Sequence, residues 1–493
     1  MPVEIADEPR TAEEPPVTHV SRDDSEHGEV SGPGSGAMDA GESPFDPGHL
    51  ALTLGLILTV VGVGFEALAV ATVLPAVVDD LGGLHLYGWA FSGFLLTQLV
   101  GVVIAGLIAD SRGPGLPFAV SVLLFASGLV VGGLAPSMPV LIAGRALQGL
   151  GGGAITALAY VAIGRGYSES AKPRMLALLS TAWIVPGLVG PGVAGVMAES
   201  LGWRSIFLVL APLPVLTGAL ALPSLRRMGA GTPSPAGWTR VVFAIVLAAG
   251  SGLVLTGIAL TNLPLALAVT GAGLALAIPA MRRLLPPGTL RAAPGMPATV
   301  ATMGLVNLAF FGVDAFVPLA LVEVRGASVA FAGLALTAGT LTWSGAAWIQ
   351  ARTAHRVSRR AMSRVGIALL GVSFLATALA LLPAFPVQAS IPAWGLAGLA
   401  MGLAYTTLSL AILEQAEPGQ EGDASASLQL ASVLGAGLGA GLGGALIAVL
   451  EARGEPLVQA LLLQGGLMLG VVVLALVTAR GVPGRVRRLA GAS

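Results

Sequence analysis

The sequence predicts an all-α integral membrane protein of fourteen transmembrane helices, built as two six-helix halves plus a two-helix linker hairpin. Three observations carry this. The 493 residues are 55% apolar and only 10% charged, whereas soluble domains carry ~25% charged residues. Apolar runs fill the chain from about residue 50 to residue 480, and ~20 apolar residues at ~1.5 Å each cross a ~30 Å hydrocarbon core. The basic residues between those runs segregate to one side of the predicted topology.

Taken in order, residues 1–49 hold 12 of the 26 acids among Pro, Gly and Ser. That composition predicts a disordered acidic cytoplasmic tail, and it lacks the basic start and apolar core of a signal peptide. Spans follow at 51–78, 87–109, 116–136, 138–163, 173–199, 204–225, 239–260, 263–281, 297–322, 328–350, 362–384, 391–413, 424–450 and 457–479. An even count puts both termini on one side. With the N-terminus inside, the inner loops and C-terminal tail carry 19 Lys and Arg, and the outer loops carry three, Arg204, Arg325 and Arg453. This positive-inside bias supports both the count and cytoplasmic termini. The expected domains are a six-helix bundle at 50–225, a linker at 226–296 containing the hairpin 239–281, a second bundle at 297–480, and a basic tail at 481–493. The hairpin helices contain no acid and are joined by little more than Thr261-Asn262. Internal repeats that meet at a midplane site are a common build of secondary transporters.

Several function classes fall away. There is no Cys, and none of the five His lies in a span, so thiol chemistry, a metal site and a membrane enzyme are not expected. Gly149 to Ala154 and Gly439 to Gly444 both satisfy G-x-G-x-x-G/A. Neither opens a helix after a soluble strand, so both read as packing faces rather than dinucleotide sites. No phosphate-binding G-x-x-x-x-G-K-[ST] exists, and Lys172 is the single Lys, which leaves no nucleotide drive. No cofactor and no nucleic-acid partner are expected. The Arg-for-Lys bias suggests a GC-rich bacterial genome, hence a multi-pass protein of the bacterial plasma (inner) membrane.

The charges inside spans point to the chemistry. Glu66 sits within the otherwise uncharged run 51–78. A charge at mid-bilayer depth costs at least ~2.5–3.5 kcal/mol, so an intramembrane acid marks a functional site by default. Arg145 lies inside the fourth span and needs a carboxylate or several carbonyls, and Glu66 is the obvious partner. Asp314 falls in the ninth span, about one helical turn from the level of Glu66 when the halves are overlaid.

Six segments resemble one family. Glu66 to Pro75 reads E-A-L-A-V-A-T-V-L-P. It resembles the first-helix motif of drug:proton antiporters of the major facilitator superfamily, which carry Asp at the position of Glu66. Leu68 and Ala71 stand where that family has Thr and Asn. Gly106 to Gly115, G-L-I-A-D-S-R-G-P-G, resembles the loop motif G-x-L-A-D-R-x-G-R-K. Gly106, Asp110 and Gly113 match, and Arg356 matches in a fainter second copy at 351–360. The resemblance implies a conformational latch, with the carboxylate pairing across to the other half. Arg145 to Ala154, R-A-L-Q-G-L-G-G-G-A, closely matches R-x-x-Q-G-x-G and implies a proton-coupling role for Arg145. Pro186 to Gly195 resembles the antiporter motif around G-x-x-x-G-P-x-x-G, through Gly187, Gly190, Pro191 and Gly195. The thirteenth span resembles the Gly-rich helix of fourteen-span drug antiporters, and 312–326 resembles that family's helix after the linker.

What the resemblance implies is the major facilitator fold and proton-coupled export of a lipophilic or cationic drug-like molecule. Glu66, Arg145 and Asp314 would couple protons. Gln98, Gln148, Trp183, Asn307, Phe311, Trp343 and Tyr405 are the candidate cavity residues. The expected partners are a small-molecule substrate, protons and the lipid bilayer, for a monomeric carrier. An uptake carrier and a lipid exporter on the same fold are the alternatives.

Overall fold

The computed structural model of the protein describes residues 43–168, 170–231, 237–353, 356–417 and 420–484, and these are helices, turns and connecting segments without a strand. Fourteen helices among them are long and apolar enough to cross a membrane. In the first half these are α1 (Leu50–Leu81), α2 (Leu84–Arg112), α3 (Gly115–Gly133), α4 (Met138–Gly166), α5 (Arg174–Leu201) and α6 (Arg204–Arg227). The hairpin is α7 (Gly237–Ala259) and α8 (Leu263–Leu284). The second half is α9 (Met296–Val324), α10 (Val329–Thr353), α11 (Arg359–Ala380), α12 (Val387–Glu414), α13 (Gly422–Ala452) and α14 (Leu457–Gly481). Each expected span has its helix. The acidic tail, apart from residues 43–49, and the basic tail beyond residue 484 lie outside the described residues. Residues 43–49 are turns docked on the first half. Thr53 Oγ1 donates to the Pro44 carbonyl at 2.5 Å, and the His49 ring lies 5.2 Å from Tyr167.

Three spans are broken where continuous helices are expected. α5 turns at Ala182 and Trp183, α6 is interrupted at Ala211, and α9 stops at Asp314 before restarting at Val317 and ending in a π turn, Ala320–Val324. A proline ring clashes with the carbonyl four residues before it and offers no N–H. Pro186, Pro214 and Pro318 point that clash at Ala182, Leu210 and Asp314, and the breaks fall there. The hairpin turn is capped by Asn262, whose side chain accepts from the Leu265 N–H at 3.1 Å.

Two apolar cores form. One is centred on the first half (Leu56, Val73, Phe125, Ile155, Phe207), the other on the second (Met303, Leu336, Ile367, Phe374, Met401). A third, smaller cluster joins the hairpin to α2 and α13 through Leu96, Leu247, Leu255, Ala277 and Leu434. Lipid gives no hydrophobic drive between helices, so close association relies on small residues. The halves meet by that means along α2 with α13 and α5 with α10. A Cβ on Gly88 would sit 2.7 Å from the Gly444 Cα, and one on Gly195 would sit 2.6 Å from the Ala330 Cα.

These close approaches seal one end of the bundle. There the Tyr87 hydroxyl, from α2, donates to the Ala315 carbonyl at 3.1 Å, and its ring lies 5.4 Å from Phe316. Ser92 donates to the Gly437 carbonyl at 3.0 Å. Glu199 at the end of α5 accepts from the Ala330 N–H at 2.9 Å, a carboxylate placed at the N-terminus of α10 where the helix dipole favours it. The opposite end is open. Gly88→Val should wedge the sealed end apart, since overpacking a tight contact forces backbone shifts. A cysteine introduced at Ala315, in a chain that has none of its own, should then react with a water-soluble maleimide severalfold faster than in the Gly88 background.

Candidate functional site

Glu66 and Arg145 are brought together inside the first half, 0% and 2% exposed. Arg145 Nη1 donates to Glu66 Oε1 and, at 2.8 Å, to Gln148 Oε1 one turn along the same helix. Its Nε donates to the Ala90 carbonyl at 3.1 Å, and the guanidinium lies 4.3 Å over the Phe94 ring. α1 thus supplies the acid, α4 the base, and α2 a carbonyl and a π-face. Glycines on α4 let these helices close up. Gly149 packs on Phe94, Gly151 on the Phe125 backbone, and Gly152 faces Val63. Glu66 Oε2 and Gln148 Nε2 have no hydrogen-bond partner among the described residues. A buried guanidinium held by a carboxylate, an amide, a carbonyl and a ring can change its carboxylate partner without losing every contact.

A cavity of about 830 Å³ opens at the other end, between α2, α4, the hairpin, α12 and α13. Its inner reach is Gln98, one turn beyond Phe94, and Thr156, two turns beyond Gln148. The cavity therefore ends about 6–12 Å along those helices from the ion pair. Its polar lining comes largely from positions the sequence reading did not single out, namely Tyr160, Gln415, Glu417, Ser425, Ser427 and Gln429. The signal for the last three was a polar stretch opening an otherwise apolar span.

Of the seven candidate cavity residues, Gln98 lines this space. Gln148 is committed to Arg145. Asn307 is buried, and its amide donates to the Met303 carbonyl at 2.9 Å within its own helix. Trp183 is 41% exposed and stands at the α5 break, where its ring meets Gly64. Trp343 joins an aromatic cluster in the second half, 5.4 Å from Phe310 and 5.6 Å from Tyr405, with Phe311 5.1 Å from Phe310.

Asp314 is partly buried at the α9 break. It lies 18 residues into α9 and Glu66 lies 16 into α1, similar positions along the first helix of each half. The two acids are on opposite sides of the interface between halves.

The latch residues are also placed. Gly106 and Asp110 line the cavity, and Gly113 turns the chain after α2 with φ +83°, where a Cβ would meet the Met228 carbonyl oxygen at 2.8 Å. Asp110 pairs with Arg165 at 2.6 Å, so in this conformation it is held within its own half. The second half has a pair of reversed polarity at the same end, Arg359 with Glu414 at 2.8 Å, while Arg356 is exposed. Among the antiporter-motif residues, Gly187 abuts Thr340, the Pro191 backbone abuts Gly333, and Gly195 abuts Ala330 across the interface, whereas Gly190 faces Phe65 on α1.

Truncating one member of a buried ion pair costs about 3–5 kcal/mol because the other charge is stranded. Arg145→Met should lower the thermal unfolding temperature of the detergent-solubilised protein markedly. Adding Glu66→Gln to it should restore most of the loss, which scans of the single and double variants would show.

Comparison with known proteins agrees with this architecture. The profile of the Major Facilitator Superfamily matches residues 54–387. The multidrug transporter protein MdtP of Bacillus subtilis (strain 168) is 29% identical over 165 residues, 34% of this chain and 30% of that protein. The probable multidrug-efflux transporter Rv1634 of Mycobacterium tuberculosis (strain ATCC 25618 / H37Rv) is 31% identical over 198 residues, 39% of this chain and 41% of that one. The chain thus matches well under half the length of these relatives. Among solved structures, a bacterial homologue of the human lysosomal transporter Spinster, inward-facing and unoccupied, aligns with a TM-score of 0.63 at 16% identity over 87% of this chain and 95% of that one. A peptide-transporter-family protein in complex with 5-aminolevulinic acid gives 0.65 at 14% identity over 87% and 96%. With fourteen membrane-length helices, two helical halves around a cavity and a profile match over most of its length, this chain belongs to the major facilitator superfamily.

Proposed function

We propose that the protein exports lipophilic or cationic drug-like molecules across the bacterial plasma membrane in exchange for protons, by alternating access. The observation that carries this is the Glu66–Arg145 pair, an ionisable couple kept in apolar surroundings a turn or two from the end of a cavity. The names of the multidrug relatives support the substrate class. The excess of Arg at the cavity-mouth end supports placing that end in the cytoplasm.

In this scheme three species compete for one carboxylate. Arg145 holds it in the present state. A proton arriving when the other end opens would take the free Oε2 and release Arg145 to Gln148, the Ala90 carbonyl and Phe94. A cation entering from the cytoplasmic mouth would displace the proton. Competition for a single group is enough to couple the two fluxes. Asp314, at a similar position along the first helix of the other half, would serve as a second site of the same kind. Opening the sealed end requires the halves to rock about the pair, which breaks the Tyr87 and Glu199 hydrogen bonds together.

In everted vesicles acidified inside by respiration, adding ethidium should dissipate part of the pH gradient when the intact protein is present. Glu66→Gln at equal abundance should dissipate none. Ethidium binding to the purified protein should tighten as pH rises, because the ionised carboxylate is the site, and Glu66→Gln should flatten that dependence. Transport by Glu66→Gln with unchanged pH dependence would overturn the scheme, and loss of substrate from everted vesicles rather than accumulation would favour uptake.

A further inference from the structure

The linker that leaves the hairpin lies in the longest acid-free stretch of the chain. From residue 200 to residue 313 there is no acid and there are seven Arg. Three of them, Arg282, Arg283 and Arg291, fall within ten residues at the end of α8 and the turn after it. None makes an ion pair or side-chain hydrogen bond among the described residues, and all three are exposed.

The turn is folded so as to bring two of them to one place. Gly288 and Gly295 take φ of +91° and +96°, and between them Ala292 takes φ +47°, the only non-glycine residue at positive φ among those described. A side chain in the left-handed region is unfavourable and persists where the surroundings impose it. The result is a groove of about 340 Å³ lined by both Arg282 and Arg291, with apolar walls from Met281, Leu285, Pro286 and Leu290. Leu290 is 47% exposed. The groove lies at the same end of the bundle as the cavity mouth, and Leu285, Pro286 and Pro287 form a wall shared with the cavity. Along α8 from the groove, about 10 Å from Met281, Leu274 faces outward, on the surface that acyl chains would follow.

We infer that this groove binds the headgroup of an anionic phospholipid of the cytoplasmic leaflet, its phosphate between Arg282 and Arg291 and its glycerol and upper acyl carbons on Met281, Leu285 and Leu290. Two guanidinium groups without a carboxylate, next to greasy walls at interfacial depth, fit a phosphate with a hydrocarbon attached. A free anion would use the charges and leave the apolar walls unused. Basic pockets at the cytoplasmic ends of membrane helices are a recognised form of lipid selection. The inference goes beyond the transport reading and does not depend on the substrate.

The full-length protein in neutral detergent would be titrated with dioleoylphosphatidylglycerol or dioleoylphosphatidylcholine in mixed micelles, and bound lipid counted by native mass spectrometry. Phosphatidylglycerol should bind about 25-fold more tightly than phosphatidylcholine, from about fivefold per arginine at the membrane surface. Arg282→Gln with Arg291→Gln should abolish most of that preference. Arg282→Lys with Arg291→Lys should retain most of it, which separates lost charge from lost folding. Arg226→Gln with Arg227→Gln, the same charge change in another loop at this end, should leave it within about twofold. Equal loss in that control would show general surface attraction and overturn the site. So would the absence of any preference, or millimolar inorganic phosphate displacing the lipid completely, which would make the groove a free-anion site.

Discussion

An arginine inside a membrane helix has to be neutralised by the protein itself, since no water is there to do it. Much of the first half can be read as the answer to Arg145. α1 brings Glu66, α2 turns the Ala90 carbonyl and the Phe94 face toward it, and Gln148 holds it from its own helix. The glycine-rich face of α4 allows these donors and acceptors to be reached, because any larger residue at 149 or 151 would hold α2 and α3 away. Such a pair is not there for stability. Well-packed apolar residues in its place are often neutral or better, so its presence is an argument for a role in which charge matters.

The interface between halves follows the opposite logic. At the sealed end it is made of backbone against backbone at Gly88 with Gly444 and Gly195 with Ala330, of neutral donors on carbonyls, and of one carboxylate, Glu199, on the Ala330 N–H. Pro318 has a part in this. By breaking α9 it leaves the Ala315 carbonyl available to Tyr87, so the seal uses an acceptor that a continuous helix would have kept for itself. Dispersion contacts between small residues are numerous and individually weak, which suits surfaces that must part and meet again.

The parts legible in the sequence were those with a large free-energy signature. Fourteen apolar runs and two charges in hydrocarbon cannot be hidden by tertiary context, so the helix count and the Glu66–Arg145 partnership could be read directly. The helix breaks were not legible, because Pro186, Pro214 and Pro318 mark them while Pro75, Pro191, Pro223 and Pro279 sit inside helices that run on unbroken. The cavity wall on α13 was not legible. Ser425, Ser427 and Gln429 cost little in a span wherever they face, and their direction is decided by how α13 packs on α2 and the hairpin. The same holds for Asp110, whose partner Arg165 is 55 residues away and could only be found once α2 and α4 lay side by side. Trp343 and Tyr405 were drawn by residue type toward the cavity, and their first commitment is to an aromatic cluster.

The sealed end has one property that bears on where the carrier can work. Its ion pair, Asp80 with Arg204 at 2.5 Å, stays within the first half, and among the described residues no cation–anion bridge ties one half to the other there. Counter-ions screen exposed charge pairs strongly and buried neutral hydrogen bonds hardly at all. Salt therefore weakens this seal where the exposed Glu199 carboxylate meets the Ala330 N–H and leaves the buried Tyr87 and Ser92 hydrogen bonds as they are.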